Sequence, residues 1–386
     1  MGVASGRVRP SRRHTMYDLL KSKLEGLQSE LISFTQGLLR TRSTSRQETE
    51  AAVVVEKQMN ELEFDSVTTD NFGNVVGIFY GVEDGPTLLL SSHMDTVEPC
   101  EEGPWPGSPF AGVIEGGKLH GLGAADCKGG LAAQIFAAGL LKRSLLPLRG
   151  HLVVAATVAE ENGLSIGTRG LIEFTLKDMG LRPAYAILGE PTDLGLYYGH
   201  DGRAELDIRL RSANPFHVVD AAEMLTSNLA DNDPTAAVQA MLMGRPRFED
   251  ANGIRCATIP VERRLGLDEA VDGLLGRMRH EAERLVQMAG AVEVDVEVRE
   301  RDETLASGIV MKVKRVTHAW STDPFSPLLS RARQALSAAG CAVRAGKWRL
   351  SRLGMGTAGS VLCNEFHIPT IGYGPGREED AHSAGE

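Results

Sequence analysis

Short, unbroken apolar runs punctuate the first half of this chain and leave it few folds to choose from: NVVGIFYG (74–81), PTLLLSS (86–92), HLVVAATVA (151–159) and YAILG (185–189), each bounded by Gly or polar residues. Continuous rather than alternating apolarity marks strands covered on both faces. Between the runs the period changes. Leu20, Leu24, Leu27, Leu31, Phe34 and Leu38 recur at three- and four-residue steps, the spacing of one helical face. Further helices are expected over 46–64, opened by the S-T-S capping signals at 43–45, and over 127–142 and 166–179. Strands alternating with helices predict an α/β domain, a mostly parallel sheet flanked by helices.

The texture changes near residue 199. GRAELDIRLR (202–211) and AVEVDVEVRE (291–300) alternate polar and apolar residues, as strands buried on one face do, and helices are expected at 216–229 and 267–289. Strand–helix–helix–strand describes a small α+β module. A helix at 326–339 and the buried-type strand PTIGYGPG (369–376) then restore the first texture. The expected organisation is an extension at 1–15, catalytic-domain parts at 16–198 and 316–386, and an inserted α+β domain at 199–315.

Of 386 residues, 42% are hydrophobic, ordinary globular composition for two domains. A net charge of −10 argues against a nucleic-acid partner, which calls for a basic face. Five cysteines (Cys100, Cys127, Cys256, Cys341, Cys363) form no C-x-x-C pair and read as reduced thiols of a cytoplasmic protein. No stretch is apolar enough for a membrane span. Residues 1–15 carry four Arg and no apolar core, which excludes a signal peptide. They read as a disordered extension or an early start codon ahead of Met16, with a transit peptide as the alternative.

Five short motifs carry the chemistry. S-S-H-M-D-T-V (91–97) ends a buried strand in His93 and Asp95, which point the same way, so that Asp95 can orient the imidazole. H-G-L-G-A-A-D-C-K-G-G (120–130) places Asp126 after a Gly-rich turn; a helix cap needs no such turn, whereas a metal bridge demands close backbone packing. V-A-E-E-N-G (158–163) ends a strand in adjacent Glu160 and Glu161, one able to bind a metal while the other faces a water. Glu190 in L-G-E-P-T (188–192) and His382 in A-H-S-A-G-E (381–386) close the set. Each alone has a bland reading as a cap or a solvated loop. Together they put two His and four acids at strand ends of one sheet. Two imidazoles and three carboxylates divide into two sites sharing one carboxylate, and two divalent metals about 3.5–4 Å apart can polarise a carbonyl and activate a water. Zinc suits such mixed ligands; manganese and cobalt also fit. The remaining Glu is free to act as general base.

With these motifs in this order, the sequence resembles the metallopeptidase and deacylase family of acetylornithine deacetylase, succinyl-diaminopimelate desuccinylase, aminoacylase and the glutamate carboxypeptidases. The likeness runs from about residue 20 to the end, through HMDTV (93–97), WPGSPFAGVIEGGKLHGLGAADCKGG (105–130), AEENG (159–163), GEPT (189–192) and GPGREEDAHSAGE (374–386). It implies that His93 and Glu190 bind one metal, Glu161 and His382 the other, and that Asp126 bridges them. It further implies that Asp95 orients His93, that Glu160 is the general base, and that the inserted domain is a lid that forms a homodimer contact. The implied substrate is small, an N-acyl amino acid or short peptide with a free carboxylate. Dipeptidase or carboxypeptidase activity is the alternative, as is a catalytically silent homologue acting as a binding protein.

Three departures from the family pattern stand out. Its lid normally carries an oxyanion-stabilising His in S-A-H-x-S; here R-S-A-N-P-F-H (211–217) has Asn214 at that place, with His217 as a substitute or the start of a helix. The usual T-D-G-S turn reads T-A-G-S (357–360), with Ala358 for Asp. The family also continues with a last helix beyond His382, and without it His382 is expected to be less firmly held. For the substrate carboxylate, Arg263 or Arg264 in V-E-R-R-L best matches the lid position, ahead of Arg203 and Arg352.

Overall fold

The computed structural model describes residues 16–99, 105, 107–161, 164–229, 240–345 and 355–386. The extension 1–15, Cys100, the N-G of A-E-E-N-G and Arg352 lie outside the described residues.

The apolar runs form the strands expected of them. A six-stranded sheet runs in the order Ser66–Thr69, Val75–Phe79, Leu152–Thr157, Thr87–His93, Pro183–Leu188, Thr370–Gly372. The last four are mutually parallel, and the first two form an antiparallel edge hairpin. Every residue of Leu152–Thr157 and Val75–Phe79 is buried, which is why neither alternates. On one face, Met16–Arg40, Thr49–Glu61 and Gly129–Arg143 supply Leu38, Val55, Met59, Leu131 and Ile135 to the main core. On the other, Leu171, Leu176 and Leu362 pack against Val76, Leu89 and Val153.

Between Pro183–Leu188 and Thr370–Gly372 the chain builds a second, antiparallel sheet with its own core. Gly202–Ser212 lies between Ile254–Leu265 and Glu293–Val298, and the helices Pro215–Leu229 and Val271–Val286 cover it. Ile254–Leu265, twelve residues long, was not expected. Pro260 interrupts its pattern, yet Pro260 faces Asp207 near the sheet's rim, where the next strand is only Met241–Leu242. The hairpin Glu300–Thr304/Val310–Lys314, inside the range 199–315, sends Leu305 and Val313 into the main core of the first sheet rather than into the second.

Candidate metal centre

All four parallel strands end on the same side, and each delivers a residue there. Thr87–His93 ends in His93; Leu152–Thr157 runs on to Glu160 and Glu161; Pro183–Leu188 is followed by Glu190, and Thr370–Gly372 leads to His382. Open α/β sheets collect their ligands at this edge. Asp126 arrives from the Gly-rich turn before Gly129–Arg143. The close packing needs glycines on both sides: a Cβ on Gly130 would lie 1.8 Å from Gly189 O, and one on Gly376, in the loop after the last strand, 2.7 Å from Ala125 Cβ.

The donor atoms gather into two overlapping groups, each within 4.8 Å: His93, Asp126, Cys127 and Glu190, and Asp126, Glu161 and His382. Asp126 is common to both. His93 Nε2 lies 3.1 Å from Asp126 Oδ1, and His382 Nε2 lies 3.1 Å from Asp126 Oδ2 and 2.7 Å from Glu161 Oε1. His93, Asp126 and Glu190 are buried, whereas His382 is exposed at the rim. Cys127, read from sequence only as a reduced thiol, touches the backbone N and O of His93 through its Sγ.

Asp95 makes contacts on two sides. The His93 Nδ1 sits 2.9 Å from the Asp95 carbonyl and 3.5 Å from its Oδ1. The carboxylate meanwhile accepts Glu160 N and Glu161 N, each at 3.1 Å, and Ser45 Oγ at 2.6 Å. The S-T-S signals at 43–45 thus do not start a helix, which begins at Thr49; Ser45 is spent on Asp95 instead. Glu386 ties the far side: Oε1 accepts Ala125 N at 3.0 Å and Asp126 N at 2.9 Å, and Oε2 accepts His382 N at 3.2 Å.

The electrostatics are those of crowded acids. Burial lifts Glu160 to about 8, reinforced by Glu161, Asp95 and Asp126. Burial likewise raises Glu161 and, further, Glu190, with Asp126 the largest charge acting on each. Asp126 moves the other way despite burial, because His382 and His93 hold it below the usual carboxylate range. Burial disfavours charge on His93, yet Cys127, Asp126 and Asp95 raise it; since burial keeps the Cys127 thiol protonated, the two carboxylates carry that effect. His382 rises to about 11 through Asp126 and Glu161. These residues fit two divalent cations: with the Cys127 thiol kept protonated by burial, the remaining donors are N and O, one carboxylate faces both groups, and cation charge would relieve the repulsion that pushes Glu160, Glu161 and Glu190 upward.

A cleft of about 990 Å³ opens over the exposed side, lined by Glu160, Glu161 and His382 together with Arg203, Arg263 and Arg264 of the second sheet. Asn214 and His217 do not line it. Asn214 is exposed and its Oδ1 accepts Phe216 N at 3.1 Å, while His217 packs in the first turn of its helix against Gly290. His200, which drew no attention in the sequence, is fully buried beneath the cleft; its Nδ1 donates to Asp201 O at 2.8 Å and its Nε2 accepts Thr357 N at 2.9 Å. It thereby holds the T-A-G-S turn, where Ala358 is buried.

Residues 89–386 match the family described as Peptidase family M20/M25/M40. The chain belongs to this family. It is a metal-dependent hydrolase of the M20 type. Over 96% of its length it is 27% identical to the uncharacterized protein YgeY of Escherichia coli (strain K12), covering 92% of that protein. A 111-residue stretch is 40% identical to succinyl-diaminopimelate desuccinylase of Methylobacterium sp. (strain 4-46), 28% of each chain. The fold is shared with the Bacillus subtilis YXEP protein, described as a dinuclear metal-binding peptidase of the M20 family, at a TM-score of 0.66 and 18% identity over 91% of this chain and 89% of that one.

Proposed function

We propose that this M20 hydrolase cleaves the amide bond of an N-acyl amino acid or short peptide bearing a free carboxylate. The observation that carries the reading is the shared cleft: Glu160, Glu161 and His382 line it together with Arg263 and Arg264, so a small substrate can meet acids and guanidinium groups at once. In this reading His93 and Glu190 would hold one cation, Glu161 and His382 the other, with Asp126 common to both groups. Such a pair, zinc by preference with cobalt or manganese as substitutes, would polarise the scissile carbonyl and activate the attacking water. Glu160, half-buried and fixed through Ser165 Oγ at 3.2 Å, takes the water's proton and passes it to the leaving amine. The fork of Arg263 or Arg264 grips the substrate carboxylate, with Arg203 beside them. Residues 199–315 act as the lid, and exposed Phe216 and Met288 on its helical layer support a homodimer contact there. Asn214 and His217 do not line this chain's own cleft; a part for either in holding the substrate would have to come through another surface of the lid.

The test is metal content by mass spectrometry, with turnover of a panel of N-acyl amino acids and dipeptides by parent and Glu160→Gln. Two metals per chain and a loss of roughly 10²- to 10⁴-fold in the variant are expected. Bound metal with no turnover of any substrate would sink the reading and leave a binding protein.

A further inference from the structure

Residues 43–48 join the first two helices and lie directly behind the acids. Ser43 Oγ donates to Met94 O at 2.6 Å, Thr96 N to Ser43 O at 3.0 Å, and Ser45 Oγ to the Asp95 carboxylate. The segment ends in Glu48, buried at 1% exposure, whose side chain makes no capping bond to the helix it precedes. Its Oε1 instead accepts Arg46 N at 2.8 Å and, from 111 residues away, Ala159 N at 3.1 Å. On either side of that amide, Val158 N goes to Asn74 Oδ1 and Glu160 N and Glu161 N go to Asp95, all at 3.1 Å. Four consecutive amides leading into the two acids are thus held by three side chains.

The grip has a reason at Ala159. Its φ of 51° is left-handed, a conformation a non-glycine residue keeps only when its surroundings hold it there. Glu48 also bears a cost, since its buried Oε2 has no hydrogen-bond partner among the described residues. The cap it fails to form cannot offset that cost, whereas fixing the loop of the acids can.

We propose that Glu48 is a positioning residue for the hydrolysis: its Oε1 fixes the Ala159 amide, and with it the direction in which Glu160 and Glu161 leave the strand. The inference rests on Glu160 being the base. Glu48 does not line the cleft and is not one of the donor residues. Burial and the charge of Asp95 raise its carboxyl to about 7, so a neutral amide of the same shape should serve in its place.

The experiment compares the parent with Glu48→Ala, Glu48→Asp, Glu48→Gln and Glu160→Gln. Amide exchange over peptides spanning 158–161 is read by mass spectrometry, alongside metal content and kinetics on whichever panel substrate the parent turns over. Glu48→Ala, and Glu48→Asp with its shorter arm, should exchange roughly tenfold faster there. Both should keep two metals and lose roughly 10- to 100-fold in kcat with KM little changed. Glu48→Gln keeps the acceptor and should recover most of both. Glu160→Gln should lose turnover with exchange unchanged. Parent-like exchange in Glu48→Ala and Glu48→Asp, an unchanged kcat in both, or a Glu48→Gln as impaired as they are, overturns the proposal. If the parent turns over nothing, the reading of Glu160 falls, while the exchange arm still decides whether Glu48 holds the loop.

Discussion

A single added methyl group at Gly130 should take apart the two turns that carry Asp126 and Glu190. Gly130 stands four residues after Asp126, and Gly189 immediately precedes Glu190. A Cβ on Gly130 would lie 1.8 Å from Gly189 O, 2.7 Å from its C and 2.9 Å from its Cα, so it meets a whole peptide unit rather than a flexible tip. Real contacts of this kind stay beyond 3.0 Å, so the turns must separate by at least 3.0 − 1.8 = 1.2 Å. Metal–ligand distances tolerate only about ±0.2 Å. The separation therefore exceeds what a site using both Asp126 and Glu190 can absorb, and overpacking adds about 1–3 kcal/mol of destabilisation. Gly130→Ala should retain at most one tightly bound metal per chain by titration calorimetry and mass spectrometry, and lose most turnover. Gly26→Ala is the control: nothing lies within 4 Å of a Cβ there, and it sits inside the helix Met16–Arg40, so it should be neutral or mildly stabilising. Two metals bound to Gly130→Ala with parent affinity would refute the close-packing argument.

Two further outcomes concern the surroundings of the centre. Glu386→Ala removes acceptors from Ala125 N, Asp126 N and His382 N, and should weaken metal binding roughly 10- to 100-fold while the fold persists by circular dichroism; an unchanged dissociation constant counts against the tie. His200 is lowered by burial to about 4 from 6.5, so the unfolded chain binds its proton more tightly. Stability is then lost as pH falls from about 6.5 to about 4, by about 3 kcal/mol in total. Denaturant unfolding of chelator-treated protein at pH 7 and pH 5 should show about 2 kcal/mol of this loss, and His200→Gln should reduce it; parallel curves for parent and variant would rule the assignment out.

The chain announced its site more openly than the supports behind it. Thr87–His93 and Leu152–Thr157 were legible because strands buried on both faces need unbroken apolar runs, and the residues just past such a run must lie at the sheet edge. His93, Glu161, Glu190 and His382 could therefore be placed at one edge before any coordinates. Ile254–Leu265 was not legible, because Pro260 breaks a pattern that the sheet tolerates near its rim. Ser45, Glu48 and His200 escaped for another reason. Their partners, Asp95, Ala159 and Thr357, lie 50, 111 and 157 residues away, and no local period marks such a bond. Asn214 and His217, matched by motif alone, sit at a helix start outside this chain's own cleft, a placement no local pattern announces.

Asp95 and Glu48 show how the same burial can give opposite charge states side by side. Both carboxyls are almost wholly removed from water, and burial is the largest influence raising each. Asp95 nevertheless falls below the usual carboxylate range, because His93, Ser45 and the Glu160 amide all stabilise its ionised form. Glu48 has two amide donors on one oxygen and none on the other, and it faces the Asp95 charge, so it rises to about 7. The hydrogen bond and charge of His93, which reach Asp95, are the largest influences keeping it ionised, whereas Glu48 faces the Asp95 charge instead. The Asp95 carboxylate lies 3.5 Å from His93 Nδ1 and accepts the Glu160 and Glu161 amides. A second full charge beside it would add repulsion to a centre already crowded with acids, and a Glu48 carboxyl raised to about 7 gives up that charge more readily than an ordinary carboxyl.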